Sequence, residues 1–283
     1  MDNSYVVWWI SGIILSRRGV MFGMAMTGGR KIKTASMRTI KKLKTPANSN
    51  SYSILMDGTN DMLRQPDGNN IFDDLATGSW TLSFYIRFDT TTNQTIFWKG
   101  TYPTEYLWIA CSAGGDIQIV GATGSTTTTI NTVFNSNMSA NTWHHVVMTS
   151  DGSGTNRANK CYIDGSEVSA NSTTLIASST NLESHTGTAK FTTSNLANLI
   201  FYKQYLDQIA TWDSVLTAAE ITAIYNNNPL LTSNSGDYTS SGDLQRYYKM
   251  DENTGTTAAD SSGNGNAALT LFNGPTWSSV KPW

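Results

Sequence analysis

Residues 80–88 read Trp-Thr-Leu-Ser-Phe-Tyr-Ile-Arg-Phe, and the alternation puts Trp80, Leu82, Phe84, Ile86 and Phe88 on one side of an extended segment. A helix would scatter these five around its circumference, whereas the two-residue period of a strand collects them on one face. The segment therefore predicts a half-buried strand. Runs of the same kind recur at 94–98, 106–111, 116–120, 144–149, 160–163 and 207–212, separated by turn residues. Asp164-Gly165 directly follows one of them, and glycine supplies the positive φ that a tight hairpin turn needs. Strands at this spacing, joined by hairpin-length links, predict an all-β fold built as an antiparallel β-sandwich. One short helix interrupts the pattern. In Thr217-Ala-Ala-Glu220 the two outer side chains can each satisfy a backbone N–H at a helix start, and the Asn226 to Pro229 stretch stops the helix.

Charge divides the chain. Only 14% of the 283 residues are charged, and Ser, Thr, Asn and Gly fill the gap, as on the turn-rich surfaces of extracellular or virion proteins. Residues 1–50 hold nine basic groups (Arg17, Arg18, Arg30, Lys31, Lys33, Arg38, Lys41, Lys42, Lys44) against Asp2, while the remainder holds 10 basic and 20 acidic groups. A basic N-terminal arm ahead of an acidic body is expected. Between Arg30 and Lys44 the apolar Ile32, Met37, Ile40 and Leu43 recur at roughly helical spacing, which fits a short amphipathic helix or a flexible tether docking on an acidic partner. No aromatic residue interleaves with these charges, which argues against a nucleic-acid partner. The apolar run Tyr5 to Leu15 is only 11 residues long, so no transmembrane segment is expected. Ser16-Arg17-Arg18 leaves a twin-arginine export signal open, and Met21, Met24 and Met26 leave a later translation start open.

Catalysis finds little support. Glycosidic hydrolysis needs paired carboxylates at a defined separation. Glutamate occurs only at Glu105, Glu167, Glu183, Glu220 and Glu252, none with a second acid two residues away in a strand. Adjacent strand residues point to opposite faces, so His144 and His145 cannot converge on one ion; one is expected in the core and the other at the surface. No serine elbow, phosphate loop or metal motif is present, and the chain is not expected to be an enzyme. Cys111 and Cys161 both lie in strand-like segments. A disulfide is geometrically conceivable, and burial as small apolar residues is the other reading.

Four local patterns carry a resemblance. Ser53 to Asp61 contains an opening strand with an Asp57-Gly58 turn. Asn141-Thr-Trp143-His144-His145-Val146-Val147 is followed by Cys161-Tyr162-Ile163-Asp164-Gly165. Tyr205 to Trp212 precedes Leu216-Thr-Ala-Ala-Glu220-Ile221. Together these resemble the laminin-G-like, concanavalin-A-like lectin/glucanase jelly-roll family over residues 51–228. The stretch Gly242 to Asp251, continuing into Asp260 to Asn266, resembles segments that follow such domains in marine phage structural proteins. The resemblance implies a non-catalytic binding or structural module of a phage virion, on the tail or capsid surface, adhering to host-surface glycans or a receptor. The basic arm would then engage other virion proteins. A free, calcium-dependent carbohydrate-binding lectin is the alternative, and either would work in a virion or outside the cell.

Calcium is the one cofactor such a chain would take. Asp57, Asp61 and Asp207, at turns or strand starts, are the candidate ligands, although an Asp at a turn equally bonds its own backbone. Asp251, Asp260 and Asn264 form a weaker second set. For a glycan, Trp98, Tyr102, Tyr106 and Trp108 bracket one loop and are the candidate contact residues. Residues 237–283 are too few to bury a second core without staples and contain no cysteine, so they are expected to fold back beside the Ile54 segment and complete a 51–283 sandwich. Tyr247 and Tyr248 would then point to opposite faces, one packed and the other wet.

Overall fold

The computed structural model describes residues 8–10, 13–16, 19–22, 50–66, 72, 78–101, 105–122, 128–151, 159–175, 188–191 and 203–283. The chain divides into two units, 1–43 and 44–283. In the first, Trp8–Ile10 (β1), Ile13–Ser16 (β2) and Gly19–Phe22 (β3) pair as an antiparallel meander. The basic stretch read as a helix or tether, 30–44, lies outside the described residues.

The second unit is an antiparallel sandwich with one α-helix among the described residues. Its strands are Ser53–Asp57 (β4), Met62–Arg64 (β5), Trp80–Phe88 (β6), Gln94–Thr101 (β7), Glu105–Cys111 (β8), Ile117–Ala122 (β9), Thr128–Phe134 (β10), Trp143–Ser150 (β11), Asn159–Ile163 (β12), Ser166–Val168 (β13), Ala170–Leu175 (β14), Lys190–Phe191 (β15) and Lys203–Trp212 (β16). Helix Ala218–Asn227 (α1) follows, then Leu244–Tyr248 (β17), Thr257–Ala258 (β18), Leu269–Phe272 (β19) and Thr276–Ser278 (β20). One sheet has the order β13-β12-β11-β6-β16-β4-β20, with β17 also beside β16, and the other β14-β10-β9-β8-β7-β15-β5-β19-β18. Long-range crossovers between neighbours make this a jelly roll.

The two sheets meet over Leu82, Phe84, Ile86, Val146 and Met148 on one side and Phe97, Ile109, Ile119, Phe191 and Leu271 on the other. Phe72, Phe97 and Phe191 contact one another edge to face, with centroids 5.1–5.9 Å apart. Each such pair adds about 1 kcal/mol beyond its buried area. Both cysteines are free and buried in this core, Cys111 on β8 and Cys161 on β12. Burial pushes the Cys111 thiol up to about 12 and the Cys161 thiol higher still, so neither is a reactive thiolate at neutral pH.

A second core corrects the half-buried reading of β6. Thr81, Ser83 and Tyr85, on the face expected to be wet, are as buried as Leu82 and Phe84. The outer face of the eight-stranded sheet is roofed by α1 and the segment after it, through Val147, Tyr162, Trp212, Leu216, Ile221, Ile224, Tyr238, Leu244 and Tyr247. Tyr247 and Tyr248 accordingly both have zero exposure: Tyr248 enters the core between the sheets and Tyr247 the core under the helix. The expected wet tyrosine does not exist, because alternation assumes one solvated face and this sheet has none at β17.

Two local devices hold these layers. Between Asp207 and Ala210 the register of β16 against β6 shifts, with Gln208 at φ 45°. That bulge lets Leu206 and Ile209, an odd number apart, both face the main core, and turns Ala210 and Trp212 to the second. The edge of β16 then pairs with β4 at Lys203 to Leu206 and with β17 beyond Ile209. Asp164 and Gly165, at φ 52° and 80°, make the β12–β13 turn; a Cβ on Gly165 would lie 3.1 Å from Tyr225 of α1, so glycine there serves helix docking as well as the turn.

Candidate functional site

Of the residues read as glycan contacts, Trp98, Tyr106 and Trp108 sit on the outer face of the nine-stranded sheet, and Tyr102 lies outside the described residues. Phe97 and Ile109 point inward, so alternation sends Trp98 and Trp108, directly paired across β7 and β8, outward. Trp98 and Tyr106 stack at 5.1 Å with an interplanar angle of 7°, and both are buried. Only Trp108 is partly exposed. Its indole Nε1 donates to Thr95 Oγ1 at 3.0 Å, while Trp98 Nε1 donates to the Gly100 carbonyl. The stack is thus a rigid support, and Trp108 is the ring a ligand can reach.

Strand pairing extends this row. Trp98 is opposite Lys190 of β15, which is opposite Arg64 of β5; on the far side Trp108 is opposite Val120, which is opposite Asn131. Asn131 Oδ1 accepts from Gln118 Nε2 at 2.8 Å. Arg64 places its guanidinium carbon 3.9 Å over the Phe272 ring. Burial and then the neighbouring Arg64 charge pull the Lys190 pKa down. Arg64 and Lys190 escaped sequence reasoning, because strands of three and two residues carry no readable period.

The calcium candidates are not brought together as a set. Asp61 Oδ2 accepts the Asp57 backbone N–H at 2.9 Å, and Asp57 Oδ1 accepts that of Thr59 at 2.7 Å. Burial raises the Asp61 pKa, the Asp57 N–H lowers it, and the Asp57 charge raises it again. Asp207 lies four residues along β16 from the Lys203 that faces Asp57, about 13 Å away at strand rise. It is fully buried and bonded by Asn50 Nδ2; burial raises its pKa well above the carboxylate range, against the pull of that bond. In the second set, Asp251 accepts from Ser51 N–H, Asp260 from Tyr247, Ser262 and Asn266, and Asn264 Nδ2 donates to the Leu244 and Gln245 carbonyls. Among the described residues, no three of His, Cys, Asp or Glu gather to hold a metal ion.

The histidines differ from expectation in one respect: both are buried. His144 Nδ1 lies 2.9 Å from Asp164 Oδ2, and its Nε2 accepts the Ser139 N–H at 3.1 Å. His145 stacks on Tyr85 at 4.5 Å, Tyr85 being in turn opposite Asp207, and its Nε2 meets Ser83 Oγ at 2.8 Å. Burial pulls the His145 pKa from 6.5 to about 3, against the Asp164 charge. A depressed base contributes stability that is whole above 6.5 and lost as pH falls toward about 3. Urea melts from pH 7 to pH 4 are expected to lose stability with a slope up to about 1.4 kcal/mol per pH unit that His145→Gln removes; equal slopes in the two proteins would show that His145 does not titrate this way.

Each glutamate whose side chain is described serves structure. Glu167 pairs with Lys160 Nζ and Tyr162 Oη, Glu252 accepts the Ala259 N–H, and Glu220 caps α1. The side chains of Glu105 and Glu183 lie outside the described residues.

Comparison with known proteins matches this geometry to one family. The model of Laminin_G_3, the concanavalin A-like lectin/glucanases superfamily, matches residues 57–222. No curated protein matches the chain in sequence. Among solved structures, a candidate carbohydrate binding protein from Bacteroides ovatus ATCC 8483 aligns with TM-score 0.52 and 16% identity, over 81% of this chain and 60% of that one. The chain thus spans less than two thirds of that protein's length. A heptameric SAP-like pentraxin from Limulus polyphemus aligns with TM-score 0.44 and 13% identity, over 71% of this chain and 93% of that one. The binding domain of botulinum neurotoxin DC aligns with TM-score 0.43 and 14% identity, over 62% of this chain and 46% of that one. With the two-sheet jelly roll in place and more than half its length matched, the chain belongs to the concanavalin A-like lectin/glucanases superfamily.

Proposed function

We propose that the chain is a non-catalytic glycan-binding module, displayed on a phage tail or capsid surface, that adheres to host-surface glycans while its basic N-terminal arm engages other virion proteins. The observation that carries the binding function is Trp108. It is a partly exposed indole held by Thr95 and backed by the Trp98–Tyr106 stack, with amide and cationic groups in the same row. A preorganised aromatic surface with a few convergent polar groups is what a sugar ring and its hydroxyls require. The carbohydrate-binding description of the Bacteroides ovatus protein supports the reading. The virion setting rests on the phage-like pattern from Gly242 to Asn266 and on the charge contrast between arm and body.

A glycan array probed with the full chain is expected to show selective binding that Trp108→Ala abolishes while the protein still melts cooperatively, at a temperature lowered by the lost packing and the lost bond to Thr95. Antibody against residues 51–283 is expected to label intact virions in negative stain, and unlabelled particles would rule out display. The competing reading is a free lectin that needs calcium, for which the close Asp57–Asp61 pair is the relevant feature. The same array run with calcium and with chelator separates them: binding that disappears in chelator, with a lowered melting temperature, favours the lectin.

A further inference from the structure

Beside Trp108 the outer face of the nine-stranded sheet carries two amides. Ile117 and Ile119 point into the main core, so Gln118 of β9 faces outward, and the buried Thr132 and Phe134 leave Asn131 of β10 outward too. Both are half-buried. Gln118 is opposite Ala110, two residues along β8 from Trp108, which makes it a diagonal neighbour of the indole at about 7–8 Å, within reach of a long side chain. Asn131 is opposite Val120, which is opposite Trp108, so it stands two strand spacings away, about 10 Å. Trp108, Ala110, Gln118, Val120, Asn131 and Val133 make up this part of the face, and none of them is ionisable. Lys190 lies on the other side of the indole, behind the buried Trp98. Valine favours a strand and asparagine does not, so the sheet accounts for Val120 and Val133 but not for Asn131.

Gln118 Nε2 donates to Asn131 Oδ1 at 2.8 Å, and each amide fixes the other. An amide has one carbonyl oxygen and an –NH2, so the bonded pair still offers Gln118 Oε1 as an acceptor and Asn131 Nδ2 as a donor. With both amides turned over, the bond would run the other way and the pair would offer the same complement. We propose that the ligand held on Trp108 is a neutral saccharide, and that Gln118 and Asn131 read two adjacent hydroxyls at the edge of its ring. One hydroxyl donates to Gln118 Oε1 and its neighbour accepts from Asn131 Nδ2. A hydroxyl does either, so an acceptor and a donor side by side suit a vicinal pair. A carboxylate or sulfate only accepts: it has no proton for Gln118 Oε1, and this uncharged, half-buried surface holds no group to offset its lost hydration. The inference rests on the glycan-binding reading and names the ligand class.

The test is an array of neutral hexoses, their monodeoxy analogues and matched carboxylated and sulfated forms, probed with the full chain and with Gln118→Ala, Asn131→Ala and Trp108→Ala. Binding to neutral sugars is expected, unchanged as salt rises. Two monodeoxy analogues, lacking neighbouring hydroxyls, are expected to bind about fivefold to tenfold more weakly than their parent, the worth of one hydrogen bond each. Gln118→Ala should no longer distinguish the parent from one of these analogues, and Asn131→Ala from the other. Lost stability alone would weaken parent and analogue equally, so the pairing of variant with analogue isolates the contact. Both variants are expected to melt cooperatively. Binding confined to acidic glycans, or a preference among the analogues that both alanine variants keep, would overturn the proposal and, where Trp108→Ala abolishes the binding, leave the glycan reading intact. Binding to no glycan of any arm would overturn both.

Discussion

Glu220→Ala is expected to cost the sandwich about 3 kcal/mol and to lower its melting temperature by about 10 °C. The carboxylate is almost fully buried and accepts from both sides of a junction. One oxygen takes the Thr217 N–H and hydroxyl, closing the cap of α1, and the other takes the Thr239 N–H and the hydroxyls of Thr239 and Ser240. It therefore ties the start of α1 to the segment leading into β17. Removing it takes the charged acceptor from the N–H groups of Thr217 and Thr239 and from three hydroxyls, and hydrogen bonds to a charged group are worth about 1.5–3 kcal/mol each. Glu220→Gln separates charge from volume: the amide keeps the size but turns an –NH2 toward donors on one side, so it should be nearly as damaging. Burial pushes the Glu220 carboxyl up, but the Ser240 hydroxyl and the Thr217 and Thr239 donors outweigh it and hold the pKa at about 2, against 4.5 ordinarily. The sign follows: this stability is whole above 4.5 and lost as pH falls toward about 2. Urea melts at pH 7 and pH 3 should show the gap between wild type and Glu220→Gln narrowing in acid. A glutamine variant as stable as wild type at pH 7 would remove Glu220 as a tie.

A chain truncated after Asn234 is expected not to fold as a monomer. The removed residues include Tyr238, Tyr247, Tyr248, Met250 and Leu269, all buried at zero exposure in one core or the other. At about 2 kcal/mol for each large side chain, their loss equals a typical total stability. The deletion also strips three edges, since β17 covers the end of β16, β20 covers β4 and β19 covers β5. Bare strand edges template association between molecules. Size-exclusion chromatography should give aggregate, and circular dichroism no cooperative melt. A monomeric product melting with the full chain would mean that these strands add nothing to the sandwich. The milder Tyr247→Phe removes the bond from Tyr247 Oη to Gln208 Oε1, and should cost about 1 kcal/mol.

Local chemistry was readable along the chain. Alternation placed β6, the Asp-Gly pair placed the β12–β13 turn, and the Thr217–Glu220 spacing placed the capping box, because each depends on residues within a few positions of one another. The candidate site was readable only where its strands were long. Trp108 stands on a seven-residue strand whose inward and outward positions can be counted, although counting could not tell that Trp98 and Tyr106 would be buried in their own stack.

The sequence by itself determined the class of fold, the helix and its cap, and the division of charge between arm and body. Tertiary structure alone decided the rest. It buried both faces of the eight-stranded sheet, because α1 and the segment after it return over a surface that alternation leaves to solvent. It parted Asp207 from Asp57 and Asp61, since a strand separates by rise what a reader groups by type. It also set Lys190 between Arg64 and Trp98, residues more than 90 positions away in sequence, through strands too short to be seen before their partners are known. Pairing across a sheet is a long-range choice, settled by which edges remain to be covered once the core has formed.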